Sequence, residues 1–189
     1  MGQHLAIGLA YKIFATPERN NQTVSLEEVR EEMERSLRYD MNLFEAEEGE
    51  KLQVFTLKSE QIKEGLLPFL ESFYPKIYIE PEVAKDEQGY LRALETLRST
   101  PFEQWVNFAR EKSNFAFQMD DHAELQFLDI QKTFRPEVRL RFHCLLLYLG
   151  NGKVITEGVS DFVNFFKYCV HETFSEHPIA KAIKIYITG

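Results

Sequence analysis

Arg139, Arg141 and His143 recur at every second position within the apolar run Val138–Leu149, the spacing that puts side chains on one face of a strand. A symmetric turn at Phe134-Arg135-Pro136 would set Asp129 opposite Arg141, Gln131 opposite Arg139 and Phe127 opposite His143. Two guanidinium groups on one face can fork onto a carboxylate or phosphate, and an adjacent imidazole offers an acid or base near neutral pH. In an enzyme, His143 and Asp129 are therefore the candidate catalytic pair, with Arg139 and Arg141 holding the ligand. The plainer alternative is a cross-strand Asp129–Arg141 pair on a solvated face, worth at most about 1 kcal/mol.

Two further groups have metal-ligand residue types but not converging geometry. Cys169, His171, Glu172 and His177 lie near the end of the last helix, yet two helical steps rotate His171 about 200° away from Cys169. Asp120, Asp121, His122 and Glu124 are bunched in what reads as a hairpin turn, where aspartate serves turn chemistry. Neither group implies a metal centre, and the sequence implies no cofactor. It also lacks a phosphate-binding glycine loop, a Gly-x-Ser-x-Gly elbow, a Cys-x-x-Cys pair and a His-Glu-x-x-His helix, so the reading leans away from an enzyme.

Acidic residues form the other candidate surface. The formal net charge is -8, and residues 1–50 hold five Lys/Arg against eleven Asp/Glu, a balance of -6. The excess lies on Glu27, Glu28, Glu31, Glu32 and Glu34, then on Glu45, Glu47, Glu48 and Glu50. Such a stretch repels phosphate backbones and anionic lipid, which argues against nucleic acid and membrane partners, and it attracts a basic protein. Glu27, Glu31, Glu34, Glu47 and Glu48 are the candidate partner-binding residues. The sequence thus reads as an interaction protein, with an acidic inhibitor or antidote of a basic partner as one form of it.

These residues must be positioned by ordinary elements. Leu5, Ile7, Leu9, Tyr11 and Ile13 alternate with Ala6, Gly8, Ala10 and Lys12, so residues 3–14 predict a strand with one small-residue face. Ser25-Leu26-Glu27-Glu28 is a capping box opening a helix with the stripe Leu26, Val29, Met33 and Leu37. Along that helix Glu31–Arg35 and Glu34–Arg38 have the spacing of i,i+4 ion pairs. Met41–Ala46 and Leu52–Leu57 flank an acidic turn and predict a hairpin. A helix over 60–73 should be kinked or split by Gly65 and Pro68, and further helices follow at 91–97 and, from a second capping box at Thr100, to about 112.

From residue 114 the pattern turns to strands: 115–119, 125–132, then 138–149, with 154–156 returning after the hairpin signal Asn151-Gly152. A helix opening at Ser160-Asp161 and a final strand around Ile183–Ile187, readable as a sheet edge guarded by Lys184, close the chain. This order predicts one α+β domain over 1–189: a mixed or mainly antiparallel sheet, with a meander over about 114–157, packed against four to five helices. The chain's 189 residues, 44% of them hydrophobic, suffice for a continuous core, to which sixteen Phe and eight Tyr contribute. Cys144 and Cys169 sit in apolar surroundings and read as buried thiols, and with no leader pattern or long apolar run the expected address is cytoplasmic.

Overall fold

The computed structural model describes residues 4–17, 23, 25–58, 63–71, 87–102, 104–105, 118–125, 138–149, 156–172 and 178–188. Within these, the first alternating segment becomes β1 (His4–Pro17), and β2 (Phe44–Glu48), β3 (Gln53–Leu57), β4 (Gln118–Leu125), β5 (Val138–Leu149) and β6 (Ile183–Thr188) join it in one sheet. Every described pairing is antiparallel. The helices are α1 (Leu26–Ser36), α2 (63–71), α3 (Glu87–Ser99) and α4 (Thr156–Phe166), the last continuing into a π-helical turn over Lys167–Glu172. Residues 102, 104 and 105 are helical as well, so the α+β class and the helices among the described residues are roughly consistent with the four to five helices expected.

β1 organises the sheet because it is long enough to serve three partners. One edge runs against β5 from Ala6 to Pro17. On its other edge, residues 4–9 pair with β6 and residues 12–15 with β3. The change of partner coincides with a bulge: Ala10 pairs with Cys144 and Lys12 with His143, leaving Tyr11 as the extra residue. One inserted residue reverses which side chains face which way. Ala6, Gly8 and Ala10 therefore share a face with Cys144 and Leu146, whereas beyond the bulge Ile13 and Ala15 take over that face beside Phe142 and Leu140. Lys12, Phe14 and Thr16 turn to the other side.

Burial follows the same division. From Leu5 to Ala10 both faces of β1 are buried, so this half of the sheet is covered on both sides. Beyond Tyr11 only Ile13 and Ala15 are buried, so the second covering layer stops there. Gly8 shows how closely the covered half packs: a Cβ there would lie 2.9 Å from Tyr186 Cδ2 and 3.2 Å from the Leu145 carbonyl oxygen.

α1 forms as its sequence dictates. The Ser25 side chain accepts from Glu28 N–H, the Glu28 carboxylate accepts from Ser25 N–H, and Val29, Met33 and Leu37 are buried. The ion pairs have other partners than those expected: Arg35 pairs with Glu32 at i,i+3, and Glu34 pairs with Arg30 at 3.8 Å, an i,i+4 pair with the base first. Glu32 is buried and also accepts from Ser36, while Arg35 reaches its carboxylate from the exposed side. Arg38 has left the helix in the left-handed region at φ 54°, and Tyr39 N–H closes back onto the Met33 carbonyl at 3.3 Å.

Other expectations are corrected. α2 is continuous over 63–71 through Gly65 and Pro68, with Leu66, Leu67, Phe69 and Leu70 buried. Of the second capping box, Glu103 lies outside the described residues; the Thr100 hydroxyl donates to Thr96 O at 2.7 Å, and its carbonyl accepts from the buried Trp105 indole at 3.0 Å. The last long helix opens at Thr156, four residues before Ser160, so Thr156 cannot belong to a returning strand. β6 is not an edge, because it pairs with both β1 and β4.

The segment 120–124, read as a turn, is strand, with a local irregularity between Asp120 and Ala123 where the ladder to β5 shifts. Phe142 accordingly faces Ala123, where a symmetric turn would have placed Leu128. β4 also pairs with β6, at Glu124 and Leu125. Turn residues in a run of polar side chains were overruled by tertiary pairing.

Candidate functional site

The bulge at Tyr11 delivers Lys12, Phe14 and Thr16 to the same face as Arg139, Arg141 and His143. Across the strands this face is ordered in rows. One runs Glu47, Val54, Phe14, Arg141 and the next Glu45, Thr56, Lys12, His143; Thr16 and Arg139 begin a third. None of these residues is buried, and Glu45, Glu47, Arg139 and Arg141 are exposed. An acidic margin on β2 and a basic margin on β5 thus flank an apolar centre at Val54 and Phe14.

Phe14 gathers the basic side. The Arg141 guanidinium carbon lies 4.7 Å from its ring centroid, the His143 ring 4.7 Å, and Lys12 Nζ 5.7 Å. Cations over an aromatic face at this exposure gain about 0.5–1 kcal/mol each, enough to hold the side chains in place without desolvating them. Thr16 Oγ1 also donates to the Arg139 carbonyl at 3.5 Å. Sequence spacing placed Arg139, Arg141 and His143 together, and the structure brings them together. Asp129 lies outside the described residues. Lys12 and Phe14 escaped the sequence reading because a bulge has no fixed signature. The available hint was the abrupt change at even positions from Ala6, Gly8 and Ala10 to Lys12, Phe14 and Thr16.

The acidic residues do not make one flat surface. Glu27, Glu31 and Glu34 are exposed on the outer side of α1, whose Val29, Met33 and Leu37 join the core. Tyr39, just beyond α1, packs on Phe44 at 6.0 Å and Phe142 at 6.5 Å, so α1 belongs to the layer over the Phe142 face. Glu45 and Glu47 point from the opposite face, while Glu48 follows the parity of Phe44 and Ala46. α1 is tied to the turn before β2 by Arg30 donating to Asn42 at 3.0 Å. Acids therefore surround β2 on both sides instead of covering one side.

Gly49 fixes that arrangement, since a Cβ there would stand 2.8 Å from the Leu52 carbonyl oxygen. The tight turn sets the β2–β3 register, and with it the faces of Glu45, Glu47 and Glu48. From Glu45 to Glu48 every β2 residue is exposed, including Ala46 on the core-facing side. Among the described residues β3 is the only strand paired with β2.

A second polar cluster is internal. The hydroxyls of Tyr39 and Tyr186 lie 2.7 Å apart, Cys144 bonds to Tyr186 as well, and Lys184 Nζ sits 5.3 Å from the Tyr39 ring centroid. Burial, and then the neighbouring Tyr39 and Cys144, hold the Tyr186 phenol well above its usual titration range. With Tyr186 and Cys144 at 0% exposure, no substrate reaches this group, and its work is to pin the segment after α1 to the sheet.

Among the described residues no three of His, Cys, Asp and Glu could hold an ion. His177 lies outside the described residues, as do the side chains of Asp120, Asp121, His122, Glu124, Cys169, His171 and Glu172. No described helix is long and apolar enough to cross a membrane. The described residues form an antiparallel α+β fold with one charge-sorted sheet face, half-exposed at its centre and exposed at its acidic and basic margins. Compared with known proteins, the chain matches no family model, no curated protein and no solved structure.

Proposed function

We propose that this protein works by binding a basic protein partner, which it meets with the acidic surface around β2 and α1; inhibition of a basic enzyme is one form such binding takes. The observation that carries the reading is β2 itself: Glu45, Ala46, Glu47 and Glu48 are all exposed, and Glu27, Glu31 and Glu34 add charge from the α1 side. Exposed acids with Debye-length reach accelerate encounter with a basic surface and exclude acidic competitors. The test is capture from the native host's lysate at low and high salt, with identification of the retained protein by mass spectrometry. A near-stoichiometric basic protein is expected at low salt, lost with the Glu31→Lys/Glu47→Lys variant. Equal capture by that variant would sink the reading.

A second reading is favoured by the packing of Arg141 and His143 on Phe14: a small-anion site, with Arg139 and Arg141 holding the anion and His143 moving a proton. Its signature is thermal stabilisation by inorganic phosphate or citrate that disappears in Arg141→Ala. Stabilisation that survives this substitution would dismiss the arginine face as the site.

A further inference from the structure

The backbone of β2 carries an inference that rests on the proposed binding of a basic partner and specifies how it is made. Lys58 N–H donates to Leu43 O at 2.8 Å and Gly49 N–H to Leu52 O at 3.1 Å, so the residue pairs 43/58 and 49/52 are of the hydrogen-bonded kind. Antiparallel pairs alternate between bonded and non-bonded kinds. In the register Phe44↔Leu57 to Glu48↔Gln53, Glu45 and Glu47 must therefore direct their N–H and C=O groups toward β3, whereas Ala46 and Glu48 direct theirs outward. Phe44 obeys the same rule, its N–H turning away to Met41 O.

Among the described residues no strand pairs with the outer side of β2, which presents a short row of outward backbone donors and acceptors at Ala46 and Glu48, edged by carboxylates on both faces. An edge of this kind either repels other strands or recruits one. The β2 strand of a second copy is excluded as the occupant, since pairing β2 with β2 would set Glu45, Glu47 and Glu48 against one another. An extended segment with alternating basic side chains meets both demands: its backbone completes the ladder and its cations meet Glu45 and Glu47. We infer that β2 is the docking edge for an extended basic segment of the partner, which adds as a further antiparallel or parallel strand of the sheet.

The probe is the peptide acetyl-(Lys-Val)4-amide at low salt, followed by amide hydrogen exchange and calorimetry. Binding is expected to slow exchange at Ala46 and Glu48, while the Glu45 and Glu47 amides, already in the β3 ladder, stay as they were. Ala46→Pro removes only an outward donor, which an edge strand tolerates, and is expected to weaken binding at least tenfold. A peptide N-methylated at alternate residues keeps its charge but cannot form the ladder, and is expected to lose tenfold or more on the wild-type protein, whatever the fate of the proline variant. Absence of binding, or binding that ignores both changes, overturns the docking edge. If Glu47→Lys abolishes binding while N-methylation and Ala46→Pro do not, the acidic surface binds by charge alone and only the strand addition fails.

Discussion

Replacing Gly8 by alanine tests the central packing of the fold. The new Cβ would stand 2.9 Å from Tyr186 Cδ2 and 3.2 Å from the Leu145 carbonyl oxygen, against a comfortable carbon–carbon separation of about 3.5–4.0 Å. Relief requires moving a ring with 0% exposure whose hydroxyl is held 2.7 Å from that of Tyr39. The alternative is to spread β1 from β5 at Leu145. Overpacking of this kind costs about 1–3 kcal/mol, and the gain from removing glycine's backbone freedom in a strand, about 0.5–1 kcal/mol, offsets part of it. A net loss of about 1–2 kcal/mol lowers the melting temperature of a domain this size by about 2–8 °C. Differential scanning calorimetry measures it directly, and the double variant Gly8→Ala/Tyr186→Leu checks the cause, because removing the ring should make the alanine nearly free. A Gly8→Ala protein as stable as wild type, or one equally destabilised with and without the ring, would refute the argument that Tyr186 needs a bare backbone beneath it.

Two stability predictions join the binding experiments. Tyr186→Phe removes the Tyr39–Tyr186 hydrogen bond and is expected to cost about 0.5–1.5 kcal/mol at neutral pH in urea unfolding. The same substitution changes the alkaline limb: with its folded titration raised, Tyr186 keeps its proton while the unfolded phenol loses one above about pH 10, so wild-type stability is constant with respect to this group below that pH and falls as pH rises through it. The difference between wild type and Tyr186→Phe should therefore narrow above pH 10; a gap independent of pH would show that the phenol titrates normally. Arg38→Gly should raise the melting temperature, since a non-glycine residue at φ 54° bears about 1–2 kcal/mol of strain, partly cancelled by the freedom glycine has when unfolded; a lower melting temperature would mean that the Arg38 side chain contributes more than the strain costs.

How far the site could be read in advance is clearest at β5. Alternation alone sorted Arg139 and Arg141 outward and Phe142 and Cys144 inward, because burial acts on a strand with a period of two. The same reasoning failed for β4, where polar residues that favour turns in isolation are drawn into strand by pairing with β5 and β6. It failed again at the ends: a six-residue apolar strand such as β6 reads alike as an edge or an interior strand, since nothing local records how many neighbours it acquires.

The sequence by itself determined the α+β class, the capped start of α1, the β2–β3 hairpin and the acidity around it, since each depends on contacts within a few residues or on composition. Only the tertiary structure decided that Tyr11 bulges out, that β1 changes partner there, and that the second covering layer ends at the same place. Those three facts set Phe14 and Lys12 beside Arg141 and His143 and leave the acidic β2 uncovered. They arise from pairings between residues 38 to 184 positions apart, and no local pattern encodes where such pairings slip by one.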